Sequence, residues 1–364
     1  MGSPADLSPL RVAAVDRAGM FAEVAALPQQ LRDGYETARE RLAGAFFGTF
    51  PAIPPAEPDG LAVCGMGGSA IGADLALAAL PDLAVPTTVV RGYALPEWVG
   101  AETLVVLVSY SGETEEALAC AAQARSRGCA PVCVASGGRL AAYAEAEGMP
   151  LVLVPGGRQP RAAVGLLSMP LLATLEASGL CHEHASDVAA AAAQLERDNA
   201  IFGPECGEEG NPAKTLARRL ENRLVVAYGA GPTGPVARRW KGQINENAKA
   251  PAFFNELPEL DHNELMGWTS LPHLTSSTVA LFLHDEFGDE RLTRRAQLTA
   301  REYEALGVDT EVVAARGASR LARLFSLVQL GDYTSCYLAV LYGVDPTPVD
   351  AIEAFKVSLA GDAG

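Results

Sequence analysis

The chain has 364 residues, 49% of them hydrophobic and 20% charged, with a formal net charge of −16 at pH 7. That length suits two domains, each able to bury a core of its own, and the acidity argues against nucleic acid or an anionic membrane surface as partner. No apolar run reaches the ~18 residues of a membrane span, and MGSPADLSPLRVAAVDRAGM lacks the basic region and apolar core of a secretion signal, so a cytoplasmic protein is expected.

In chain order, residues 5–48 read as helical with an interruption at Pro28, and Phe46-Phe47 and the Pro-rich 51–58 lead into a first strand. From there short apolar runs alternate with helices: strand 61–65, helix 69–80, strands 85–90 and 104–108, helix 113–127, strand 131–135, helix 139–146, strand 151–154. That alternation predicts a parallel α/β sheet with right-handed crossovers. An Ala-rich helix follows at 186–200, then the turn-rich, acidic GPECGEEGNP at 203–212. The domain boundary is placed there, giving units 1–202 and 203–364. The second unit repeats the pattern: helix 213–221, strand 223–228, the turn GAGPTG, helix 235–249, strands 252–255 and 278–283, helix 290–306, strand 309–313 and helices 318–342 and 349–360. The fold class expected is two doubly wound parallel sheets with helices on both faces.

Seven cysteines (64, 120, 129, 133, 181, 206 and 336) are scattered mostly along apolar segments, and the pair Cys129/Cys133 has no second pair or nearby His to complete a zinc site. They are expected to be reduced and buried. No cluster offers a metal, and no cofactor is expected.

Two turns stand out. LAVCGMGGSAIGADL at 61–75 carries Gly65, Gly67, Gly68 and Ser69 between strand and helix, and LVVLVSYSGETEEAL at 104–118 carries Ser109, Ser111, Gly112 and Thr114. Glycine lets the backbone approach a ligand, and the helix start offers free N–H groups that favour an anion. Gly-rich turns are also common where they are merely tight. Three hydroxyls among glycines do little for turn geometry, however, and two such turns on neighbouring strands would converge on one phosphate. Neither is a Walker A loop, since no Gly-Lys-Ser/Thr follows, and Ala70 stands where a dinucleotide fingerprint needs its third glycine. GMGGSAIG followed by SYSGETEE resembles the sugar isomerase (SIS) domain, a doubly wound module that holds phosphosugars. The first turn of the second unit, 229–234, offers only Thr233 as hydroxyl and reads as a degenerate copy.

Arg161, in RQPRAAVGLLSMPLL, opens a long apolar helix where an arginine has no packing reason to be. It either caps the turn or pairs with an acidic neighbour. On helix 235–249, Val236, Trp240 and Ile244 mark the buried stripe, and Glu246, about 200° round from Ile244, points off it. A lone Glu usually lies on a solvated face. This one sits between Asn245 and Asn247 near the carboxyl end of its helix, where the dipole disfavours negative charge. His262, in PELDHNELMGW, is separated from it by Pro251 and Pro258, so the two meet only through tertiary or quaternary folding. A lone His before a helix is more often a cap or surface residue.

Here the resemblance narrows. ENAK-x-PA-x8-ELDHNE-x3-W and DPTPVDAIEAFK resemble the bifunctional phosphoglucose/phosphomannose isomerase family, with similarity running from about residue 55 to the end. In related phosphosugar isomerases an arginine in the PRAAVG context contacts the substrate, a role carried to Arg161. The resemblance implies Glu246 as catalytic base, His262 assisting ring opening, Lys356 approaching from the last helix, and a homodimer in which His262 reaches the partner's site. Lys356 is one of only four lysines among 28 basic residues. The implied reaction is a metal-free aldose–ketose isomerisation. The phosphate is held by Gly67, Gly68, Ser69, Ser109, Ser111 and Thr114, and Arg161 stabilises the developing oxyanion. The family's mannose-admitting threonine is not assigned, although Thr347 is nearby, and the tail KVSLAGDAG is less basic than is usual. The alternative is a phosphosugar sensor without chemistry, which would need the turns but not the pair Glu246 and His262. Isomerisation of an aminosugar or pentose phosphate is a further enzymatic alternative, one that would not require the 240–268 and 346–356 motifs.

Overall fold

The computed structural model describes residues 6–45, 54–55 and 57–361. Phe46-Phe47, part of the Pro-rich run and the last three residues lie outside them.

The amino-terminal helical region is divided more finely than its composition suggests: α1 is Pro9–Val15, α2 Met20–Ala25 and α3 Leu27–Leu42. One break falls at 16–19, where the Asp16 carboxylate receives the Met20 and Phe21 N–H groups and Gly19 takes a φ of 82°, and a second falls at Ala26, beside the expected interruption at Pro28. Pro28 lies in the first turn of α3, where a missing N–H costs nothing.

The first sheet comprises β1 (Gly60–Cys64), β2 (Thr87–Val90), β3 (Thr103–Ser109), β4 (Val132–Ala135) and β5 (Leu151–Leu153) in the order β2-β1-β3-β4-β5, all parallel. Helices α4 (Gly67–Ala78), α5 (Glu115–Ser126) and α6 (Gly138–Glu147) connect the strands. Alternate strand residues divide between the two faces. Leu61, Val63, Leu104, Val106 and Val108 join a core shared with α3, α4 and α7 (Val164–Ala177). Ala62, Cys64, Val105 and Leu107 join a smaller one with Cys120, Ala121 and Ala124 of α5 and Leu140, Ala141 and Ala144 of α6. Both faces are thus covered, as an all-parallel sheet requires. The strand order reverses between β1 and β3, and the crevice at their carboxyl ends is where such sheets bind ligands.

After α8 (Ala185–Phe202) and α9 (Pro212–Leu220) comes the second sheet: β6 (Leu224–Ala230), β7 (Ala252–Leu257), β8 (Thr278–His284) and β9 (Asp309–Ala314), in the order β7-β6-β8-β9. It repeats the first order less one strand, with α10 (Gly234–Asn247), the short α11 (Pro272–Thr275) and α12 (Glu290–Ala305) between strands. Helix α13 (Arg320–Tyr342) has the length and hydropathy of a membrane span. Its residues Leu321–Leu341 are nevertheless buried throughout, in the core that also takes in Val225 and Leu281 of the second sheet. Helix α14 (Asp350–Gly361) stands apart, with residues 351–359 all exposed.

All seven cysteines are free thiols. Five are buried, whereas Cys181 and Cys206, expected to be so, are partly exposed because they lie in connections outside the sheets.

Candidate active site at the junction of the two sheets

The two small-residue turns leave adjacent strands, since Cys64 of β1 lies beside Leu107 of β3 in a parallel ladder. Gly67 and Gly68 open α4, and no side chain caps that helix, so its first N–H groups keep their capacity to bind an anion. Gly67 is exposed and has a φ of 50°, a conformation that favours glycine. Ser69 is buried, and its Oγ accepts the Tyr110 N–H at 3.3 Å, which ties the first turn to the second. In the second turn Ser109 Oγ and Thr114 Oγ1 share a hydrogen bond of 2.8 Å, and the exposed Ser111 accepts the Glu113 N–H at 3.2 Å.

Gly68 also explains where Arg161 comes from. A Cβ at Gly68 would lie 2.6 Å from the Pro160 carbonyl oxygen and 3.2 Å from the Arg161 nitrogen. The glycine thus lets the first turn press directly on the one-turn 3-10 helix Pro160–Ala163 that carries Arg161. The Arg161 side chain is only 4% exposed. It donates from Nη2 to the Pro346 and Thr347 carbonyls at 2.9 and 2.7 Å, from Nε to Asn247 Oδ1 at 2.7 Å, and from Nη1 to Gln159 Oε1 at 3.3 Å. Nη1 also lies 3.5 Å from the Glu246 carboxylate. The two sequence readings of this arginine are therefore both present: it caps a turn and it faces an acid. Burial lowers its pKa, against the pull of Glu246.

Glu246 lies off the apolar stripe of α10. Ile244 is 1% exposed, while the Glu246 side chain is 35% exposed and accessible to water. Two residues that sequence reasoning left unused complete its surroundings. Lys249, two residues past the end of α10, has a φ of 57°, and its Nζ turns back to donate to the Glu246 and Pro346 main-chain oxygens, capping the helix terminus. Burial and the nearby Arg161 charge lower its pKa. Thr347 lends its carbonyl to Arg161, and its own Oγ1 finds no partner among the described residues. The crowding of small residues around 160 and the prolines around 346 were the available signals, but the contact itself is tertiary.

His262 lies elsewhere. Helix α10 runs back from the carboxyl end of β6, so Glu246 is near the start of β7, whereas His262 follows the end of β7 on a 3-10 turn, Glu259–His262. Within one chain the two stand at opposite ends of the second sheet, on the order of 20 Å apart. The His262 ring is exposed, while its neighbours are tied down. Asp261 receives Arg295 Nη1 and Thr299 Oγ1 at 2.8 and 2.7 Å. Glu264 receives the Tyr228 hydroxyl, Tyr303 Oη at 3.3 Å and Asn255 Nδ2 at 2.6 Å. Lys356 is on the exposed α14, whose root at Pro346 and Thr347 is the segment bonded to Arg161. Among the described residues no group of three or more His, Cys, Asp or Glu side chains could hold a metal ion.

Residues 209–359 match the family model for the bacterial phospho-glucose isomerase C-terminal SIS domain. Over its length the chain is 38% identical to the bifunctional phosphoglucose/phosphomannose isomerase of Caldicellulosiruptor bescii, covering 94% of this chain and 99% of that one. It is 39% identical to the enzyme of the same name from Aquifex aeolicus, over 82% and 90% of the two chains. The chain belongs to the bifunctional phosphoglucose/phosphomannose isomerase family. The fold agrees with a crystal structure of a hypothetical protein from Thermus thermophilus, with a TM-score of 0.76 at 17% identity over 98% of this chain and 95% of that one. In this family member, then, the first-sheet turns, Arg161 and Glu246 form one continuous run of contacts, while His262 is exposed beyond the other end of β7.

Proposed function

We propose that this chain interconverts glucose 6-phosphate, and mannose 6-phosphate, with fructose 6-phosphate by proton transfer through a cis-enediolate. One observation carries the reading: the glycine turn on the first sheet touches the Arg161 segment, and Arg161 lies 3.5 Å from Glu246 of α10. A phosphate on Gly67, Gly68 and Ser69, met from the other side by Ser109, Ser111 and Thr114, would hold the sugar by its remote end. Binding energy gained there orients the reacting carbons. Glu246 removes the C2 proton and returns it at C1, and the Arg161 guanidinium faces the oxygen on which negative charge develops.

Ring opening moves a proton between O5 and O1, a task for His262 with Lys356. Since His262 stands at the far end of the second sheet from Glu246 in its own chain, we assign this role to His262 of a second copy, in a homodimer. The apolar side chains Ile352, Phe355, Val357 and Leu359, exposed on α14, suit such an assembly. The division of labour follows the proposed units: 1–202 holds the phosphate and 203–364 supplies the base. The acidic charge and free thiols fit a cytoplasmic enzyme that meets neither nucleic acid nor membrane.

The test is a coupled assay on fructose 6-phosphate, following glucose 6-phosphate and mannose 6-phosphate separately, with and without a chelator. Formation of both, unaffected by chelator, supports the reading. Binding of fructose 6-phosphate without turnover would instead identify a phosphosugar sensor.

A further inference from the structure

Beside the apolar stripe of α10 runs a polar one, Arg239, Gln243 and Asn247, spaced four residues apart and all buried. Buried polar groups must find partners within the protein. Arg239 donates to the Asp332 carboxylate of α13 from Nε at 3.1 Å and from Nη2 at 2.7 Å, and Gln243 Nε2 adds a third bond at 2.8 Å. The same Arg239 Nη2 donates to the main-chain oxygen of Arg161 at 2.9 Å. Asn247 takes the side chain: its Oδ1 accepts from Arg161 Nε, and its Nδ2 donates to Ser335 Oγ at 3.0 Å. Ser335 Oγ then donates to the Asp332 main-chain oxygen at 2.8 Å. The bonds close into a ring that starts and ends on one turn of α13 and grips Arg161 by main chain and side chain together.

The charges are arranged as carefully as the bonds. Arg161 and Arg239 are two buried cations, and Asp332 is a buried anion held by Arg239. With Asp332 engaged, Arg239 does not compete for Glu246. Asn247 is neutral, so it fixes Nε of Arg161 without neutralising it. Nη1 is left toward Glu246. An aspartate at 247 would pair with Arg161 and remove that freedom.

We infer that Arg239, Asn247 and Asp332, with Gln243 and Ser335, are positioning residues of the isomerisation. They hold Arg161, which belongs to the first-sheet half, in register with Glu246 on the second, so that the guanidinium is preorganised for the developing oxyanion. The inference rests on the isomerase reading above.

A double-mutant cycle tests it. Arg239→Lys and Ser335→Ala are each made in the wild type and in Arg161→Ala, and kcat and KM for fructose 6-phosphate are measured with the melting temperature. Loss of Arg161 costs roughly a hundredfold in kcat, which leaves a readable rate. In the wild type, Arg239→Lys is expected to lower kcat about tenfold with KM within about threefold. In Arg161→Ala the same change should alter kcat by less than about twofold, because its effect passes through the missing side chain. Ser335→Ala, which removes a partner of Asn247 and one bond to the Asp332 main chain while leaving both charges in place, should show a smaller loss with the same non-additivity, and carries the test if Arg239→Lys fails to fold. Equal losses in both backgrounds, or a change confined to KM or melting temperature, would overturn the positioning role alone. A wild type without turnover would overturn the isomerase reading and this inference with it.

Discussion

The two sheets share a strand order and differ in what fills the crevice at their carboxyl ends. On the first, α4 begins with two glycines and no side-chain cap, and the turn after the neighbouring strand carries Ser109 and Thr114, which bond to each other at 2.8 Å. On the second, the corresponding turn is consumed by its own chain. Thr233, buried, accepts the Ala230 N–H at 2.8 Å and reaches the Leu283 carbonyl at 3.2 Å. A Cβ at Gly234, the first residue of α10, would lie 2.6 Å from the Glu256 carboxylate, so an internal carboxylate already stands beside that helix start. The lesson is that a duplicated module need not duplicate its site. With a carboxylate already beside that helix start, the role proposed for the second sheet lies at the opposite end of the same helix, in Glu246.

That contrast is easiest to break with two glutamates. Glu246→Gln should lower kcat by about a thousandfold through loss of the base, whereas Glu256→Gln, on the filled crevice, should change kcat by less than about threefold. Comparable losses in the two variants would contradict the division of roles. The hydroxyls give the next largest effect. Ser109→Ala with Thr114→Val should raise KM for fructose 6-phosphate about tenfold by removing donors to phosphate. Thr233→Val should leave KM unchanged and cost about 1–3 kcal/mol of stability, read by denaturant unfolding, because it strands buried partners. A smaller signal sharpens the account of His262. Equal amounts of Glu246→Gln and His262→Ala protein, unfolded and refolded together, should regain about a quarter of wild-type activity, the share of native sites in a random mixture of dimers. No gain over the separate variants would place His262 outside the partner's site.

Much of this was legible in the sequence. The strands of both sheets and the pairing of the 61–75 and 104–118 turns follow from short apolar runs ended by small residues, and the off-stripe position of Glu246 follows from helical spacing. The sequence also marks Thr233 as the single hydroxyl of the second turn, and the structure shows that hydroxyl bonded within its own chain. Other features were closed to such reading because they arise between distant segments. The stripe at 239, 243 and 247 has the same period as the apolar stripe beside it, yet its meaning depends on Asp332 and Ser335 lying opposite. Nothing local to Arg161 indicates that its Nη2 ends on carbonyls at 346 and 347. The interruption expected at Pro28 corresponds to the division at Ala26, with the proline in the first turn of α3, whereas the break at 16–19 was missed because no proline marks it.

The central claim is that Glu246 carries a proton between two carbons, and the most direct measurement is isomerisation of fructose 6-phosphate in deuterated water, with the glucose 6-phosphate examined for label at C2. The Glu246 side chain is 35% exposed, which gives solvent a route to it. The account predicts deuterium at C2 with the wild type, and neither label nor turnover with Glu246→Gln. Product formed with no deuterium at C2 by the wild type, together with undiminished turnover by Glu246→Gln, would contradict the assignment of Glu246 as the base.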